Sequence, residues 1–303
     1  MPPNPALHRS DDARIPGDLR KLESGLDALQ SHGFAPRPWP KRFLGATLAP
    51  IGLLVVLLTA WQAGVVIFDP RPDLYPGPLA VISSLANAWG SGRLPLAIET
   101  SLQRGFFGLI IAVLIGTPVG LLLAEFRLLR CALGPLISGL QVLPSVAWVP
   151  AAIIWFGLSD ATVYFVVLMG SVPSIVNGLI SGVENIPPEL KRVGIVLGAS
   201  RMQLTLLVIL PAALPGYFAG LKQGWAFSWR SLMAAEIIAF GGSIGFGLGS
   251  LLQQGRELAD LGSVLGTIIT ILGIGIIVEL VLFAPIEQRL LRGRGLIPVG
   301  AIR

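Results

Sequence analysis

The 303-residue chain is poor in the residues that most catalytic and metal-binding chemistry needs. It has one cysteine, Cys131, so an intramolecular disulfide and a thiolate metal cluster are excluded. Its two histidines, His8 and His32, lie in the polar N-terminal stretch, where they could hold a metal or be solvated. A Ser-His-Asp or Cys-His site inside the apolar body is thereby excluded. Charge is scarce too: 13% of residues are charged, against roughly 25% in an ordinary soluble domain. None of the four lysines follows a glycine and no GxxxxGK[ST] occurs, so this chain has no phosphate-binding loop of that type.

What is abundant is apolar sequence, 53% of the chain. Six apolar runs lie at roughly 44–68, 101–124, 136–157, 161–182, 206–239 and 264–286, each reaching the ~20 residues a helical span needs. The expectation is an all-α polytopic membrane protein with about six transmembrane helices, because unpaired backbone groups in lipid are too costly for anything but helices or closed barrels. The run from 206 to 239 exceeds one plain span. Residues 1–43 are rich in proline, glycine and charge; they read as a partly disordered tail with one short amphipathic helix around "DLRKLESGLDALQ". No basic region leads into a short apolar core with a cleavage site, so no signal peptide is expected.

Lysine and arginine sort by side. Sixteen fall in the tail, the loops after the second and fourth runs and the C-terminus, against three (Arg71, Arg93, Arg256) in the alternate loops. The positive-inside rule then places the tail 1–43, the loop 185–205 and the C-terminal tail 291–303 in the cytoplasm, with the membrane domain 44–290 between. The net charge of +5 is thus a property of cytoplasmic loops and not of a nucleic-acid surface. Small residues at helical spacing (Gly116/Gly120, Gly178/Gly182, Gly220/Gly224, Gly241/Gly245/Gly249) read as close helix packing. Prolines 118, 144, 150, 173, 211 and 215 in or beside the runs predict kinked helices around a cavity. No two halves repeat, which argues against an inverted-repeat carrier.

The segment "NIPPELKRVGIVLGASRMQLTLLVILPAALPG" (185–216) stands apart. Pro187 and Pro188 suit a helix entry, and Glu189 is favourable in its first turn. Leu190, Val193 and Leu197 fall on one face. Gly198 can take the left-handed conformation that ends a helix, and Ser200 with Gln203 has the spacing of a capping box. The predicted shape is helix, Gly198-Ala199-Ser200 turn, helix. A surface helix on the membrane and a docking element both fit it.

At these residues the chain resembles the permeases of binding-protein-dependent ABC importers. Their cytoplasmic signature is Glu-Ala-Ala, three residues, Gly, nine residues, then Ile-x-Leu-Pro. Here Gly198 is followed by nine residues and then by Val208-Ile209-Leu210-Pro211, in the Ile-x-Leu-Pro register; Arg192, Val193 and Gly194 occupy the Glu-Ala-Ala positions. "TSLQRGFFGLIIAVLIGTPVGLLLAEFRLLR", "LQVLPSVAWVPAAIIWFGLSD" and "LMAAEIIAFGGSIGFGLGSLLQQGRE" are similar to the aliphatic-sulfonate, taurine and nitrate branch, so that the resemblance covers roughly residues 50–295. It implies a type I importer permease in a prokaryotic plasma membrane, non-catalytic and binding no cofactor itself. ATP and Mg would sit on two partner ATP-binding cassette ATPases. A second copy of the permease and an extracytoplasmic substrate-binding protein, docking on loops 69–98 and 240–262, would complete the assembly. Glu189, Lys191, Arg192, Gly198, Ala199, Ser200, Arg201 and Pro211 would form the coupling element.

Ionisable residues in apolar runs are functional candidates, since each costs at least ~2.5 kcal/mol near the bilayer centre. For Glu99, Lys222 and Glu279 internal ion pairs or snorkelling groups are the simpler reading. Arg230 sits where the family pattern has an apolar residue. Facing a cavity, it would suit an oxyanion such as a sulfonate; alternatively it neutralises Glu236 or Glu99. Arg230, Ser228, Trp229, Glu236 and Arg104 are therefore the translocation-pathway candidates, with Arg104 also readable as structural. A self-sufficient secondary carrier, and an intramembrane enzyme with a carboxylate-based site, are the competing classes.

Overall fold

In a computed structural model, residues 39–68, 71, 75–242 and 244–294 are described, with side chains from Gly52 onward. The expected amphipathic helix near residue 20 and the last C-terminal residues lie outside them. The chain divides into two units, Met1–Gly64 and Val65–Arg303. The first is described only through α1 (Trp39–Phe68), which starts five residues before the expected span.

The second unit is helical, with no strand among its described residues. Its elements are α2 (Pro78–Gly90), α3 (Arg93–Glu125), α4 (Arg127–Val142), α5 (Val149–Phe156), α6 (Asp160–Glu184), α7 (Pro188–Val196), α8 (Arg201–Ile238), α9 (Leu248–Glu257) and α10 (Leu261–Arg292). Among the described residues α3, α6, α8 and α10 are each long and apolar enough to cross a membrane. A fifth span results if α4 and the Ser145–Phe156 segment count as one.

That pair corrects the sequence reading of 136–157 as a single span. The chain bends by 97° between Val142 and Ser145. Leu143 and Pro144 are extended, with ψ of 125° and 122°. Proline disfavours helical backbone in the residue before it and offers no N–H to the carbonyl four residues back, here Leu140. Prolines 118, 173 and 215, by contrast, stay inside continuous helices.

α6 is the central helix, packed between α3 and α8 and meeting α8 over most of its length. The small residues explain the closeness. A Cβ added at Gly178 would lie 2.3 Å from Gly220 Cα, and one at Gly216 would lie 2.4 Å from Gly182 Cα. Neither contact tolerates a side chain. On the other flank Gly116 and Gly120 receive Ile175 and Leu179. The main core gathers Val163, Val166, Val167, Trp225, Trp229 and Leu232.

Two wider, π-type turns interrupt the long helices, at Leu204–Ile209 in α8 and Glu279–Phe283 in α10. Each lies just before a proline, Pro211 or Pro285. The carbonyl four residues before each proline falls inside the widened turn, which relieves the clash of ring and carbonyl.

Candidate functional site

The α7–α8 junction has the local chemistry expected of it. Pro188 occupies the first turn of α7 and Glu189 is acidic there. The helix ends in a Schellman motif: Gly198 has φ +77°, its N–H bonds Ile195 O at 3.0 Å, and Ala199 N–H bonds Gly194 O at 3.1 Å. Ser200 then caps α8. Its Oγ accepts from Gln203 N–H at 3.3 Å, while its own N–H donates to Gln203 Oε1 at 2.8 Å. Gly194, which stands where the family signature has alanine, lies where a Cβ would come within 2.5 Å of Leu204. Missing bulk there closes α7 onto the start of α8.

The outer surface of this junction is apolar and open. Val196 is 85% exposed and Leu197 79%, with Val193 and Met202 also exposed. Arg201 Nε lies 3.4 Å from Glu125 Oε1 at the end of α3, and Lys191 and Arg201 share a cleft with Glu125. Glu189 and Arg192 are exposed, and Pro211 is half-buried in α8.

At the far end of α8 the charged candidates form a buried knot. Glu236 is fully buried and Arg104 is 5% exposed. Arg104 Nη1 donates to Glu236 Oε1 at 3.0 Å and to Gly245 O at 3.1 Å, and its Nη2 to Asp160 Oδ1 at 2.6 Å. The Ser101 hydroxyl lies 2.8 Å from Glu236 Oε2 and itself accepts Leu248 N–H at 2.8 Å. Gly249 N–H donates to Glu236 Oε2 at 3.0 Å. Glu236 thus ties α8 to α3 and to the first turn of α9, and through Arg104 to the loop before α9 and the start of α6. A buried carboxylate at a helix N-terminus is favourable through both the free N–H groups and the dipole.

Glu236 is therefore bonded to Arg104 and not to Arg230, which corrects the pairing considered from the sequence. Among the described residues Arg230 has no carboxylate partner. Its Nε donates to Ala226 O at 3.1 Å, and its guanidinium lies 4.6 Å from the Phe227 ring centre. Arg230 and Trp229 border a cavity of about 630 Å³ with Lys222, Glu279 and Glu287. Arg230 also borders a second cavity, of about 270 Å³, at the α4–α5 break. Neither is lined by Glu236 or Arg104. Ser228 is buried and its Oγ stands 3.5 Å from Gly105 O. Lys222 Nζ reaches Glu279 at 2.6 Å and Glu287 at 3.1 Å, the internal pairing expected for it. Glu99 accepts from Gln103 one turn on.

Sequence reasoning did not single out Ser101, Asp160 or Gln141. Asp160 sat one residue outside a predicted run, and its hydrogen bond to Arg104 was the missing clue. Gln141 lies inside a run, where its amide meets Asn177 at 2.6 Å.

The family described as "Binding-protein-dependent transport system inner membrane component" matches residues 116–291. The taurine transport system permease protein of Escherichia coli K12 is 32% identical over 245 residues, 79% of this chain and 87% of that protein. The bicarbonate transport system permease protein of Synechococcus elongatus is 30% identical over 231 residues, 72% of this chain and 81% of that protein. In fold, the chain is similar to one from the inward-facing MetNI methionine ABC transporter, with a TM-score of 0.56 and 19% identity, covering 66% of this chain and 97% of the other.

Proposed function

The chain belongs to the family of binding-protein-dependent transport system inner membrane components, and from that premise we propose that it is the permease subunit of an ATP-driven importer of a small anion. In this reading two copies form the path, two ATPase subunits dock on the cytoplasmic side, and a separate binding protein delivers substrate from outside. The chain does no catalysis and binds no cofactor; ATP and Mg belong to the ATPases. The anion is most simply a taurine-like sulfonate, with nitrate and bicarbonate as the neighbouring choices. The names of the relatives above support taurine and bicarbonate.

The observation that carries the reading is the α7–α8 junction. A turn fixed by a Schellman motif and a capping box holds an open apolar surface, including Val196 and Leu197, on a side of the chain rich in lysine and arginine. Lone apolar residues at a surface need no explanation, but a rigid cluster of them marks an interaction site. α8 continues from this turn to Ile238, so a displacement of the turn by closing ATPases moves a whole span. Glu189, Lys191, Arg192 and Arg201 rim the docking surface, and Gly198, Ala199, Ser200 and Pro211 shape it. ATP binding drives the two turns together and opens the cavity outward to the binding protein; hydrolysis resets it.

Proteoliposomes separate this from a self-sufficient carrier. The complete assembly takes up labelled anion only with ATP and the binding protein, and the chain alone takes up none. Gradient-driven uptake by the chain alone would contradict the reading.

A further inference from the structure

Arg230 lies next to the one bent break between apolar helices among the described residues. Irregular backbone inside a bilayer is tolerated where it is buried in protein or faces a water-filled cavity, and broken spans are where transporters build their sites. Here the break and the arginine share a cavity of about 270 Å³. No carboxylate lines it. Its wall instead offers the hydroxyl of Ser145, the amide of Gln141 and the chain around Pro144.

The cation is oriented. Cation–π contact with Phe227 and the bond from Nε to Ala226 O hold the guanidinium flat on its own helix. Among the described residues neither Nη group has an acceptor. Behind them, Ser145 Oγ and Ser231 Oγ are 2.6 Å apart and join the break to α8. Gln141 is fixed by Asn177 at 2.6 Å and faces Ser174 Oγ at 3.4 Å. Gly170 keeps the floor open, for a Cβ there would meet Ser231 Oγ at 2.4 Å. The larger cavity on the other side of Arg230 differs: its Lys222 is already matched by Glu279 and Glu287, and those carboxylates repel an anion.

We infer that the cavity at the α4–α5 break is an oxyanion subsite of the translocation path, with Arg230 presenting its two Nη groups to two oxygens of a small anion. The inference rests on the importer reading above. A planar fork of two donors matches a sulfonate, nitrate or bicarbonate edge, as a lysine would not. Ser145 is placed to donate to a third oxygen by turning its hydroxyl from Ser231.

The test uses the full assembly in proteoliposomes, with labelled taurine, nitrate and bicarbonate as probes. For the anion that the wild type takes up, Arg230→Met lowers uptake at least about tenfold, Arg230→Lys less, and Ser145→Ala about threefold, the weaker loss expected of one neutral donor. Retention of the ATPase on purification stays at the wild-type level in all three. Uptake by Arg230→Met within about twofold of wild type overturns the subsite, as does equal loss of uptake and assembly in the Met and Lys variants, which marks a structural role. A wild type that assembles but takes up none of the three anions overturns the oxyanion chemistry. A wild type that retains no ATPase instead contradicts the importer reading beneath it.

Discussion

The two ends of α8 are built on opposite principles. At Arg201 the helix emerges from a turn whose hydrogen bonds are all local, with one exposed ion pair to Glu125 and with Val196 and Leu197 exposed. At Glu236 it is held by the Ser101 and Arg104 side chains of α3 and by the Gly249 N–H of α9, and nothing of the carboxylate is exposed. Roughly 35 residues at about 1.5 Å each put some 50 Å between them. The first end is rigid within itself and unfinished toward its surroundings; the second is finished. That contrast fits the proposed lever, with the Glu236 end fixed to α3 and α9 and the Arg201 end open to a partner. An ionised group has to be satisfied where it is buried, whereas an apolar surface can wait for another protein.

The contrast can be broken from its strong side first. Glu236→Ala breaks the buried pair with Arg104, which keeps only the more exposed Asp160 as counter-ion, and costs about 3 kcal/mol. The purified chain in detergent should melt well below wild type, and Glu236→Gln, which keeps the shape, should fall between. An unchanged melting temperature for Glu236→Ala would remove the knot as a fixed point. Next comes the shaft: Gly178→Val drives a side chain into Gly220, with an overpacking cost of about 1–3 kcal/mol. It should lower the melting temperature by a smaller step and weaken protection of α6 and α8 in hydrogen exchange.

The weak end responds less in stability. Gly198→Val forces a branched side chain into φ +77° at a cost of roughly 1–2 kcal/mol, confined to the turn. Ser200→Ala removes the cap and costs about 1 kcal/mol. Both should raise exchange over 194–204 while leaving α6 protected. Equal loosening of α6 would show that the turn is coupled to the core more tightly than its bonds imply.

These ends also differ in how legible they were. The turn was readable from sequence because every signal for it is local: Pro188, Glu189, Gly198, Ser200 and Gln203 lie within sixteen residues. The family-like spacing to Pro211 then implied the role proposed for it. The knot was not readable, since Ser101 and Glu236 are 135 residues apart and Asp160 joins through Arg104 from another helix. Glu236 and Arg104 were recognised as costly charges, but only packing could say that they belong to each other and leave Arg230 without a counter-ion among the described residues. The broken span was missed for a related reason. Pro144 looks no different in sequence from Pro118, Pro173 and Pro215, which remain inside helices. The glycines of α6 and α8 were legible as packing residues, though their pairing of Gly178 with Gly220 was not.

The most direct test of the account separates the weak end's stability from its binding. Leu197→Asp alters a residue that is 79% exposed, so unfolding should shift by no more than about 0.5 kcal/mol. Co-expressed with the partner ATPase and purified through a tag on the permease, the wild type should retain the ATPase, and Leu197→Asp should lose most of it while melting at the wild-type temperature. Undiminished retention by Leu197→Asp, or none by the wild type, would contradict the claim that this turn is where the ATPase docks.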